Sequence, residues 1–184
     1  KEYKKLTIHL KDLLIAYPES HDLRRLQGLT LIKLGRPRNG AESILDTSDD
    51  EPIPETILEE TVLTLFEQGQ YRDITRIFHN RKPGANPNIL YCYGAALFET
   101  GNYDKAPEYL KKAIDEGRTD YNAYLYTGKA MEKKGDTRGS LPFLEHAHDM
   151  KEEDIDTARA LANAYRKLGR YDDAAKILRK IKER

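Results

Sequence analysis

One hexapeptide pattern recurs along this chain at a nearly fixed interval. Gly101-Asn102-Tyr103-Asp104-Lys105-Ala106 returns in altered form as Gly135-Asp136-Thr137-Arg138-Gly139-Ser140, and almost intact as Gly169-Arg170-Tyr171-Asp172-Asp173-Ala174. These glycines are 34 residues apart. Gly69-Gln70-Tyr71 opens the same motif 32 residues before Gly101, and Gly35-Arg36-Pro37 is a weaker copy 34 residues before Gly69. A period of this length means one supersecondary unit repeated, with each unit burying its apolar face on its neighbours.

Other positions keep the same phase. Gly94, Gly128 and Ala162 precede their turn glycines by seven residues, and Leu97, Met131 and Tyr165 by four. Ala106, Ser140 and Ala174 follow by five, Leu110, Leu144 and Leu178 by nine, and Ala113, Ala147 and Ile181 by twelve. Small residues at facing positions let two helices approach closely, and the larger ones fill the grooves beside them. The turn glycine supplies the left-handed conformation that ends the first helix of each pair.

This spacing resembles the tetratricopeptide repeat. The likeness is clearest over 87–184 and covers nearly the whole chain; Val62, Ile74, Pro37 and Gly40 depart from the pattern. It implies an all-α fold, a right-handed α-α superhelix of antiparallel helix pairs. The expected divisions are the second helix of a truncated repeat (1–20), a degenerate repeat (21–54), a divergent one (55–86), and three regular ones (87–120, 121–154, 155–184). Helices are predicted at 3–17, 21–34, 38–46, 55–68, 71–80, 87–100, 103–116, 121–134, 137–149, 155–168 and 171–183. Asp46–Pro54 reads as an exposed acidic loop, and 81–87 as a breaker segment where the stack would bend. Pro107 and Pro142 are both expected in first turns, where proline costs little.

Composition narrows the function. Lys plus Arg and Asp plus Glu are each 31, so no general electrostatic case exists for nucleic acid. No apolar stretch approaches the ~20 residues of a membrane helix, so direct insertion is not expected. The single cysteine, Cys92, forms neither an intrachain disulfide nor a thiolate zinc site, which suits cytoplasm or periplasm alike. The chain begins at Lys1 and reads as a piece of a longer protein. Neither a catalytic nor a metal-binding constellation is found, and no cofactor is expected. His146 and His148 are two apart on a helix and point in different directions, so both read as solvated surface.

In tetratricopeptide domains the first helix of each repeat lines a concave groove. The resemblance therefore implies that Tyr91, Phe98, Asn122, Leu125, Tyr126, Lys129, Lys133, Arg159, Asn163 and Arg166 form a protein-binding surface, aromatic in the middle and basic at its end. A partner protein or peptide with an apolar anchor followed by acidic residues would match it. Arg159 with Asn163 resembles half of a carboxylate clamp, but the two preceding repeats carry Tyr91 with Ala95 and Leu125 with Lys129, which do not continue one. An alternative is a periplasmic spacer or assembly segment of a bacterial envelope machine, such as an exopolysaccharide export protein. In that case the apolar residues of the first and last helices, Ile177, Leu178 and Ile181 among them, would support self-association.

Overall fold

The structure, a computed structural model, describes residues 2–45 and 53–182, the last two by backbone alone. All regular structure among the described residues is helical: α1 (Glu2–Ala16), α2 (His21–Lys33), α3 (Pro37–Leu45), α4 (Glu55–Glu67), α5 (Tyr71–Ile77), α6 (Pro87–Glu99), α7 (Ala106–Asp115), α8 (Tyr121–Lys134), α9 (Thr137–Met150), α10 (Ile155–Lys167) and α11 (Tyr171–Lys182). Most of the acidic loop expected at 46–54 lies outside the described residues; of its end, Ile53 is buried and Pro54 precedes α4.

Local chemistry sets these boundaries. Several helices begin on a side chain that accepts from orphan amides of the first turn. Asn86 Oδ1 accepts from Asn88 N at 3.0 Å and Ile89 N at 3.2 Å, with Pro87 at the first helical position. Asp120 caps α8 through Ala123 N at 3.0 Å, and Asp154 caps α10 through Thr157 N at 2.7 Å. The ends are equally regular. Gly35, Gly69, Gly101, Gly135 and Gly169 all take positive φ, between 68° and 96°. The residue after each glycine then donates its amide to a carbonyl four residues before the glycine, as Asn102 N does to Leu97 O at 2.7 Å. This closure turns the chain back into the second helix of the pair.

The pairs α2–α3, α4–α5, α6–α7, α8–α9 and α10–α11 pack as hairpins, and α2, α4, α6, α8 and α10 pack on one another in sequence. Small residues hold the hairpins tight. A Cβ on Gly94 would lie 2.8 Å from Leu110 Cγ, one on Gly128 2.6 Å from Leu144 Cγ, and one on Gly28 2.6 Å from the carbonyl oxygen of Gly40. Gly40, a departure from the expected alanine, therefore brings backbone against backbone. The buried residues form two clusters. The first runs from Ile32 to Ala130, and the second joins Leu125, Leu144, Leu161, Tyr165 and Ala174. Helix α8 contributes to both.

Several expectations need correction. Pro142 sits inside α9, five residues after its start at Thr137, because Asp136 caps the helix through Gly139 N at 2.9 Å. The missing amide falls opposite the carbonyl of the exposed Arg138, where solvent can satisfy it. The second helix expected at 71–80 stops at Ile77, and Phe78 turns into the core against Tyr93, with ring centroids 4.7 Å apart. Helix α7 begins at Ala106 rather than at 103. His148 is buried at 4% exposure rather than solvated, and neither of its ring nitrogens has a hydrogen-bond partner among the described residues. Its neighbour His146 is exposed and lies against the Tyr124 ring at 4.8 Å.

Candidate interaction surface

The residues named for the groove come from α6, α8 and α10, which pack in that order. A ladder of rings ties their aromatic members together. Tyr91 lies 5.5 Å from Phe66 of α4 and 5.9 Å from Tyr126 of α8, and Tyr126 lies 5.7 Å from Phe98. Phe66 and Phe98 each meet the tyrosine of their own turn edge-on at 5.5 Å, Tyr71 and Tyr103 respectively. Edge-to-face contacts of this kind add to the area that the rings bury.

Burial divides the named residues into two groups. Tyr91 is 3% and Leu125 8% exposed, so both belong to the packed interior. Phe98, Tyr126 and Lys129 are half-buried, while Asn122, Lys133, Arg159, Asn163 and Arg166 are exposed. The Tyr126 hydroxyl donates to Glu99 Oε1 at 3.0 Å. Its phenol is held well above the usual tyrosine range, first by burial and then by the Glu99 carboxylate. Tyr91 is raised in the same direction, chiefly by burial.

A polar network borders the ladder where α4, α6 and α8 begin. Glu59 accepts from Asn88 Nδ2 at 2.7 Å and Asn86 Nδ2 at 3.1 Å, and Asn86 also donates to Glu55 at 2.9 Å. Arg118 donates to Asn88 Oδ1, pairs with Asp120 at 2.9 Å, and places its guanidinium 3.9 Å from the centre of the Tyr91 ring. A cation stacked on a ring and held by amide and carboxylate oxygens is a fixed group, not a mobile one. Sequence reasoning missed Arg118 because it lies in the connection between two hairpins, outside the repeated positions. Its only signal was a position beside the capping Asp120.

Other contacts bridge neighbouring hairpins. Lys167 pairs with Glu132 at 3.2 Å, and Lys33 pairs with Glu60. Tyr165 donates to Glu145 at 2.7 Å; burial first, and then this bond, push its phenol up to about 12. Cys92 is 1% exposed, and burial pushes its thiol up to about 12. A thiol so placed stays protonated and packs as a small apolar group. No group of three or more metal-ligating side chains gathers among the described residues, and no described helix is long and apolar enough to cross a membrane.

Comparison with known proteins agrees with this architecture. Two tetratricopeptide-repeat family models match, one over residues 87–116 and one over 132–184. No curated protein matches the chain. Among solved structures the chain is similar to MamA of AMB-1, at a TM-score of 0.67 and 18% identity over 89% of this chain and 90% of that one. It is similar to MamA of MSR-1 at 0.66 and 17%, covering 89% and 95%. MamA from Desulfovibrio magneticus RS-1 gives 0.64 and 20%, covering 89% and 93%. These likenesses concern the fold. Its glycine-closed helical hairpins, their 34-residue period and the two family matches together identify tetratricopeptide repeats in this chain over residues 87–116 and 132–184.

Proposed function

We propose that this chain is a protein-interaction scaffold whose first-helix face binds a peptide or a partner protein. The observation that carries the reading is the pattern of exposure along α6, α8 and α10. Half-buried rings at Phe98 and Tyr126 lie over a rigid aromatic interior, and beside them Lys129, Lys133, Arg159 and Arg166 keep their charge accessible. Half-exposed aromatic groups fixed by neighbours make good anchors, because they lose little conformational freedom on binding. Basic groups next to them favour a partner with an apolar anchor and acidic residues. Tyr91 and Leu125 support this surface from beneath. No residue has a catalytic role in this reading.

The test leaves the interior untouched. Purified wild type and a Lys129→Glu, Lys133→Glu, Arg166→Glu variant would be used as bait, and the captured proteins compared by mass spectrometry. A partner kept by wild type and lost by the folded variant supports the surface. Equal capture by both sinks it.

A second reading, assembly through the terminal helices, is favoured by helix α1. Ile8 and Ile15 are 62% and 81% exposed there and Tyr17, just after it, 63%, while Leu10 alone among the residues of α1 is buried. Leu178 of α11 is also exposed, whereas the Ile181 side chain lies outside the described residues. Sedimentation of Ile15→Asp beside wild type tests it: a wild-type oligomer that the variant dissolves supports assembly, and two monomers remove it.

A further inference from the structure

The early end of α5 has a consequence on the opposite side of the hairpins. The second helices α3, α7, α9 and α11 run 9 to 14 residues, whereas α5 has 7. Where its next turns would lie, the chain runs irregularly from Phe78 to Asn86, with Pro83 buried. This leaves a cleft of about 570 Å³ between α5, α6 and the turn before α7. Its interior includes Phe78 and Tyr93, both buried and in tilted ring-to-ring contact. Its basic groups come from three separate stretches: Arg72 and Arg76 on α5, Arg81 after it, and Lys105 before α7. No carboxylate lines it among the described residues. Glu42, just outside, pairs with Arg76 at 3.2 Å. Arg72 and Lys105 are exposed and have no ion-pair partner among the described residues, so their charge is open to a ligand in the cleft.

We propose that this cleft is a second binding site, separate from the first-helix face, and that it takes an acidic peptide segment of a partner protein. The aromatic groups in the cleft suit an apolar side chain, and the basic groups suit the carboxylates on either side of it. Nucleic acid fits less well. A phosphate backbone calls for an extended basic track, and the charge here is confined to one cleft of a neutral chain.

The test is fluorescence anisotropy with a labelled six-residue peptide of alternating leucine and glutamate. Wild type should bind it, more weakly as salt rises. Arg72→Glu with Lys105→Glu should weaken binding at least about tenfold, and the milder Arg72→Gln with Lys105→Gln should weaken it in the same direction. All four changes are at exposed positions, so the helical circular dichroism should be kept. A charge-matched control, Arg138→Glu with Lys176→Glu at exposed positions of neither site, should leave affinity unchanged, and Lys133→Glu with Arg166→Glu reports separately on the first-helix face. Absence of wild-type binding overturns the proposal, as does a loss confined to the Lys133 and Arg166 variant. A single-stranded oligothymidylate of equal charge binding as tightly as the peptide would overturn the choice of ligand.

Discussion

Asp154 carries a contact whose energy depends on pH in a direction that can be stated beforehand. Its carboxylate accepts from Thr157 N at 2.7 Å and from the Thr157 hydroxyl at 2.6 Å, and these bonds hold its pKa below the ordinary aspartate value. A lowered folded pKa gives stability that is present above the unfolded value of about 3.9 and is lost as pH falls through the folded value. Asp154→Ala should therefore cost about 1 kcal/mol at neutral pH. In urea titrations repeated toward pH 3 the difference from wild type should shrink, and a gap independent of pH would remove this account. Gly28 is a steric case. An added Cβ would meet the backbone oxygen of Gly40, which cannot rotate away, so Gly28→Ala should destabilise by about 1–3 kcal/mol in the same titrations. Gly28 stands seven residues before Gly35, in the phase of Gly94 and Gly128, and Asp154 stands just before the helix predicted from 155, so both positions were legible in the sequence. The burial of His148 was not. Its helix was legible, but the side of α9 that it faces depends on how α8 and α10 pack around it, and residue spacing within one helix does not record that.

Among the elements, α5 departs most from its counterparts. It has two turns, and the chain beyond it is held by Phe78 and Pro83 rather than by a helical ladder. Short helices with few ladder bonds open at lower free energy than the core around them. Amide hydrogen exchange should therefore be faster in Tyr71–Ile77 than in Pro87–Glu99, whose residues from Ile89 to Leu97 are all buried. Equal protection would mean that α5 opens only with the whole array. The 32-residue spacing from Gly69 to Gly101 hinted at an irregular unit, and the prolines at 83 and 87 located its end to within a few residues. The inward turn of Phe78 could not be read that way, since an apolar residue at the end of a helical pattern fits either a longer helix or a cap.

For the molecule as a whole, the division of the core decides how it comes apart. Leu161 is 1% exposed in the second cluster, and α10 packs against α8, α9 and α11. Leu161→Ala should cost about 2–5 kcal/mol locally. In a repeat array stability is carried by nearest-neighbour contacts. The amides of α10 and α11 should therefore lose protection in this variant while those of α6 keep it, and uniform loss would show a single cooperative unit. The ring ladder has a further, optical consequence. The chain has no tryptophan, so its near-ultraviolet signal is dominated by tyrosine. The closely coupled pairs Tyr91–Tyr126 and Tyr93–Tyr109, at 5.9 and 4.7 Å, lie in α6, α7 and α8. Near-ultraviolet circular dichroism therefore watches the middle of the array, and far-ultraviolet ellipticity counts every helix equally. Fraying from α11 inward would appear in the second signal before the first, so the protein carries its own pair of colours for telling its middle from its end.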